Sequence, residues 1–204
     1  MANTTFSGPV RSQGGFFSIS KNASTGAVTT LSSISSTGVS SFDANKLATE
    51  AGAGITGGTG TVYKSSVQRV GGIIVTEIFI DLTGLRSPTN GTLIGVNGTS
   101  DPVHIGQITT AQNGLIFAGS MEGFEGTSGG TTRIDVNDSA NGALVTGNGH
   151  QTTLLDGTGV SAGSKEIFTV LPSPDRFLYL ATGSSSVADY TAGKILITLV
   201  GYQA

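Results

Sequence analysis

The 204-residue chain contains no cysteine and no tryptophan, and only 11% of its residues are charged. Without cysteine there are no disulfides and no thiolate metal sites, so stability rests on packing or on assembly. An ordinary soluble domain is about 25% charged. Here ten basic and thirteen acidic side chains are spread over a surface of roughly 9,000 Å² expected for a monomer of this mass. Such a surface is either neutral and hydroxylated or covered by neighbours. The net charge of −3, with no three Lys or Arg adjoining, lacks the clustered cations that phosphate contacts need, and no nucleic-acid partner is expected. No apolar run reaches the ~20 residues of a membrane-spanning helix. The opening Met1-Ala2-Asn3-Thr4-Thr5 has neither a basic region nor an apolar one, so the expectation is a cytoplasmically made chain without a secretion signal and without a membrane partner.

Small and hydroxylated residues fill the space instead: 32 glycines, 24 serines and 28 threonines. These are poor interior helix formers, which excludes coiled coils and helical bundles. From Thr4 to Gly60 the chain is rich in Ser, Thr, Gly and Ala, with apolar islands such as Phe16-Phe17-Ser18-Ile19. It lacks the high net charge of a disordered tail. The spacing fits an arm that orders against other strands or subunits. The one helix-like stretch is Asp43 to Ala51, with Asp43 as a cap and Gly52 as a stop.

Beyond Thr61 the pattern is of strands broken by Gly, Asn, Pro and Asp. Ile74, Thr76, Ile78, Ile80 and Leu82 alternate with Ile73, Val75, Glu77, Phe79 and Asp81, which predicts a strand with one face on the core. Further strands are expected at 61–70, 92–96, 103–108, 115–121, 131–136, 165–171, 176–182 and 194–200. Asn90-Gly91, Asn97-Gly98, Asn113-Gly114 and Asn141-Gly142 suit positive φ in tight turns. No amphipathic helices intervene to make parallel crossovers. The expected fold is all-β: an antiparallel β-sandwich, jelly-roll-like, with an extended N-terminal arm (1–15) and a single domain (16–204) whose residues 16–60 are partly extended. The Gly-rich stretch 119–132 and the span 137–163 read as exposed loops.

Short motifs with chemical meaning fail in their context. Gly126-Thr127-Ser128-Gly129-Gly130 has the letters of a nucleophile elbow, with His150 as a base and Asp135 or Asp138 as the orienting acid, but a strand rather than a helix is expected after the serine. Gly52-Ala53-Gly54-Ile55-Thr56-Gly57 matches a dinucleotide fingerprint, yet no strand precedes it and more glycine follows. Asp135, Asn137 and Asp138 could offer oxygen ligands to Ca²⁺, but the loop lacks the glycine and the later bidentate glutamate of such sites. Glu122 and Glu125 beside Phe124 could pose as a carboxylate pair, though without tryptophan to form a sugar cleft. His104 lies in an expected strand, and Glu77 and Asp81 share one strand face. No catalytic residue, cofactor or metal is therefore expected, and the chain is read as a non-enzymatic structural or binding protein.

Several segments carry a resemblance: Met1-Ala2-Asn3-Thr4-Thr5-Phe6-Ser7-Gly8-Pro9-Val10-Arg11-Ser12, Glu77-Ile78-Phe79-Ile80-Asp81-Leu82-Thr83-Gly84-Leu85, Ile105-Gly106-Gln107-Ile108, Phe177-Leu178-Tyr179-Leu180, and Tyr190-Thr191-Ala192-Gly193-Lys194-Ile195-Leu196-Ile197. Together they resemble a family of small virion structural proteins of tailed phages, especially marine ones. The likeness thins over 20–60 and 137–163. It implies a capsid decoration, or cement, protein on the capsid surface of the virion, made in the host cytoplasm, with the major capsid protein and further copies of itself, as a homotrimer, as partners. On this reading Asn3, Phe6, Pro9, Val10, Arg11, Phe16 and Phe17 belong to an arm that contacts the shell or an adjacent copy. A tail fibre or spike component binding a host receptor is the alternative expectation, and a jelly-roll carbohydrate-binding protein is the third.

Overall fold

The computed structural model describes residues 16–21, 25–26, 28–34, 40–42, 49–89, 91–145 and 152–203. The chain divides into two compact units, Met1–Lys46 and Leu47–Ala204, so the Ser/Thr/Gly-rich stretch 16–60 is shared between them. The expected arm, 1–15, lies outside the described residues.

The first unit holds β1 (Phe16–Lys21), β2 (Val28–Ile34) and β3 (Ser40–Phe42), paired antiparallel in the order β1-β2-β3. Phe16 lies opposite Ile34 and Phe17 opposite Ser33.

The second unit holds β4 (Val62–Val70), β5 (Ile73–Asp81), β6 (Arg86–Ser87), β7 (His104–Ile108), β8 (Leu115–Ser128), β9 (Ile134–Ser139), β10 (Thr152–Leu155), β11 (Lys165–Ile167), β12 (Arg176–Thr182), β13 (Ala188–Asp189) and β14 (Ala192–Tyr202). One sheet has five strands in the order β11-β8-β14-β5-β4, another has four in the order β10-β9-β12-β7, and β13 pairs with β6. Every pairing is antiparallel.

The two large sheets enclose one core. Ile78 and Ile80 of β5, Met121 of β8, and Ile195, Ile197 and Leu199 of β14 meet Ile105 and Ile108 of β7, Val136 of β9, and Leu178 and Leu180 of β12, and all of these are buried. Each such side chain contributes roughly 1.5–3 kcal/mol by leaving water. Tyr63 of β4 spans the layers by donating from its hydroxyl to the Ile105 carbonyl at 2.7 Å. The all-β antiparallel sandwich expected from the alternation is therefore the fold of this unit. In β5 even-numbered residues are buried and odd-numbered ones partly exposed, as the period of two requires.

Some expectations need correction. Helix is absent at Thr49, Glu50 and Ala51, and Asp43 to Ala48 lie outside the described residues. Among the described residues the helical turns are α1 (Ala53–Thr56) and α2 (Thr110–Asn113). No strand forms over 92–96, where only the bridges Leu93 to Ala181 and Arg86 to Gly95 occur. The stretch 119–132 is not a loop through its first ten residues, because β8 runs on to Ser128. The span 137–163 contains the end of β9 and the whole of β10.

Candidate interaction face

The chemical motifs come apart when placed on the sheets. Ser128 ends β8 opposite Ala192, and its carbonyl accepts from the Thr191 amide at 2.8 Å. A strand partner thus stands where an elbow would turn into a helix, and His150 lies outside the described residues. Gly52 and Gly54 flank the start of α1 because Pro102 and Val103 press on them. A Cβ at Gly52 would stand 2.1 Å from the Pro102 carbonyl oxygen, and one at Gly54 would stand 2.5 Å from Val103 Cγ1. Close packing, not a phosphate cradle, accounts for these glycines.

Along β9 successive side chains point to opposite faces, which separates Asp138 from Asp135 and Asn137. The carboxylate of Asp135 accepts from the Gly157 amide at 3.0 Å. That of Asp138, 2% exposed, accepts from the Ser173 amide at 3.2 Å. Burial raises the Asp135 carboxyl above its ordinary range, and the Gly157 amide and Arg133 oppose this. Among the described residues no group of three or more His, Asp or Glu is placed to hold a metal ion.

The remaining candidate acids are tied into the five-stranded sheet. Glu122 pairs with Lys165 at 2.5 Å across β8 and β11. Lys194 of β14 pairs with Glu125 of β8 and, at 3.6 Å, with Asp81 of β5. Although desolvation pushes the other way, the Thr83 hydroxyl and amide and the Lys194 ammonium hold the Asp81 carboxyl below its ordinary range. Glu77 accepts from the Ser66 hydroxyl at 3.2 Å. A further acid, Glu166, accepts from the Thr158 and Gly159 amides at 2.8 and 3.2 Å and so pins that loop. His104 lies beside Phe177, ring centroids 5.1 Å apart, and burial lowers its pKa.

Glu122, Lys165, Glu125, Lys194, Asp81, Glu77 and Ser66 share a surface. Residues opposite each other on neighbouring strands point to the same side, so the registers map the outer face of this sheet in rows. The row nearest the β4–β5 turn runs Leu115, Tyr202, Ile73, Val70, and the next runs Ala118, Val200, Val75, Gln68. A hydroxyl row follows, Ser120, Thr198, Glu77, Ser66, with Ile167 beside Ser120. The last two rows carry Glu122, Leu196, Phe79, Lys64 and then Glu125, Lys194, Asp81, Val62. Register shifts between Lys194 and Ile195 and between Val200 and Gly201 insert Phe124 and Phe117 as extra residues in β8. Their rings lie near Phe79 and Tyr202, at centroid distances of 6.2 and 6.3 Å.

Val62, Val70, Ile73, Phe117, Phe124, Ile167 and Tyr202, all on this face, are seven of the eleven exposed large apolar side chains among the described residues. An exposed sheet face is ordinarily polar, and apolar side chains gathered on one surface mark contact sites. Of the arm residues singled out in the sequence, Asn3, Phe6, Pro9, Val10 and Arg11 lie outside the described residues, and Phe16 and Phe17 open β1. Sequence reading missed the sheet face because the bulge at Phe117 breaks the alternation that would assign its side. No protein-family model, curated protein or solved structure matches the chain.

Proposed function

We propose that the chain is a structural protein of a phage virion, a decoration protein that binds the major capsid protein shell and stabilises the junctions between capsomers. The observation that supports this reading best is the division of labour among its side chains. The acids that could have served chemistry are bonded to lysines, hydroxyls or backbone amides of the fold, while large apolar groups stand in solvent on one sheet face. That arrangement suits adhesion through many weak contacts repeated by symmetry.

The winding of the strands agrees with it. From β5 through β14, leaving out the β13–β6 pair, the chain crosses between the two large sheets at every step except β9 to β10, which are neighbours. We read this connectivity as a jelly roll, a fold common in capsid proteins, preceded by β4 as an additional edge strand.

The test is a cryo-EM reconstruction of the virion that encodes this chain. Density for it at capsomer junctions is the expected result. Density confined to the tail would transfer the function to adsorption, and absence from the particle would end the reading.

A further inference from the structure

The outer face of the five-stranded sheet is not uniform. Its charges lie toward one end and in the middle: Lys165 with Glu122 and, in the same row, Lys64, then Lys194 with Asp81 and Glu125, while Glu77 alone stands between these and the other end. The end beside the β4–β5 turn carries no charge on this face. There Leu115, Phe117, Ala118, Val200, Tyr202, Ile73, Val75 and Val70 form two rows, interrupted only by Gln68. Val70 is 71% exposed and Phe117 50%.

We propose that this uncharged end packs against the same surface of a second copy of the chain, about a twofold axis. Charge selects the occupant. A patch with no charge of either sign gives an acidic or basic partner nothing to pair with, whereas its own copy presents an equally uncharged surface. Lys165 and Lys194 already pair with acids within the sheet and Glu77 accepts from the Ser66 hydroxyl, so an end-to-end overlap leaves the charges of this face at the rim in water, where charged residues of interfaces belong. In an isologous contact each apolar row is used twice.

Area sets the strength. Four strands about 4.8 Å apart and two rows of side chains cover on the order of 300 Å² per partner, less than half of the roughly 800 Å² per partner in a standard stable interface. The dimer is therefore weak between free chains and gains strength where copies are held close on a common scaffold. The proposal does not depend on the decoration reading, because its test uses the isolated full-length chain.

Sedimentation equilibrium over a wide concentration range is the experiment, with thermal melts to confirm that each variant is folded. The wild type is expected to show a reversible, concentration-dependent dimer. Tyr202→Ser, Phe117→Ser and Val70→Lys, all at exposed positions, should each weaken it by about tenfold or more, the scale of an interface anchor. Phe124→Ser, at the charged end, should leave it unchanged. A wild-type monomer at every concentration overturns the proposal, as does any oligomer that the three patch variants leave intact or that Phe124→Ser weakens equally. Loss of shell binding with the dimer retained, or the reverse, separates this contact from the decoration reading.

Discussion

The side-chain amide of Asn113 donates to the Thr76 hydroxyl at 2.8 Å, and both residues are fully buried. Asn113 also accepts from the Thr109 amide at 2.9 Å through its side-chain oxygen, so one residue closes α2 and fastens it to the inner face of β5. Thr76→Val keeps the shape and removes the acceptor, leaving a buried N–H unpaired. We expect a loss of about 1–3 kcal/mol, read as a lower urea midpoint with an unchanged slope. Thr76→Ser, which retains the oxygen, should recover most of it.

Two glycines of the second unit should respond differently to the same substitution. A Cβ at Gly157 would stand 2.0 Å from the Ile134 carbonyl oxygen, whereas one at Gly72 would meet nothing within 4 Å. Gly157→Ala forces the backbone of β9 or of its neighbour to move and should cost about 1–3 kcal/mol or more. Gly72→Ala should be close to neutral, which a paired denaturation experiment would establish.

Stability should fall on mild acidification because of His104. Burial holds its pKa below the ordinary value, and its Nδ1 is buried with no hydrogen-bond partner among the described residues. The unfolded chain therefore binds the proton more tightly than the folded one. Stability drops as pH falls through about 6.5 and levels off below the folded-state value. His104→Gln should flatten Tm between about pH 7.5 and pH 5.5. His150 is common to both proteins and drops out of the comparison, so an equally steep profile in the variant would remove His104 as the cause.

Removing residues 2–15 tests the proposed arm. The sandwich lies in Leu47–Ala204, so the truncated chain should keep its β-sheet circular dichroism and its melting transition. It should bind purified decoration-free shells poorly in a co-sedimentation assay. Undiminished binding would take Asn3, Phe6, Pro9, Val10 and Arg11 out of the mechanism.

Much of the fold can be read from the sequence where one face of a strand is apolar and the alternation is unbroken, as in β5 and β14. β8 shows where this fails. Gly119, Gly123 and Gly126 look like loop residues, yet they lie within a fourteen-residue strand. At Gly119 a Cβ would stand 2.7 Å from the Phe168 ring, and at Gly123 it would stand 2.3 Å from the Ser161 carbonyl oxygen. Glycine is present there to admit a neighbour from another part of the chain, a long-range demand that local composition does not display. The interaction face was hidden for a related reason. Counting by twos from Met121 places Phe117 on the core side, and only the extra residue opposite β14 turns it outward.

β14, the last strand along the chain, occupies the centre of the five-stranded sheet, between β8 and β5. During synthesis the edges of β5 and β8 must therefore wait, unpaired, for a segment made more than sixty residues after β8 begins. Folding of this unit is consequently late and dominated by pairings between distant parts of the chain, which places refolding in the slow range of milliseconds to seconds typical of β-sandwiches. A ribosome stalled before Ala192 holds two sticky edges with nothing between them, so the strand that completes the sheet also decides when the nascent protein ceases to be an aggregation hazard.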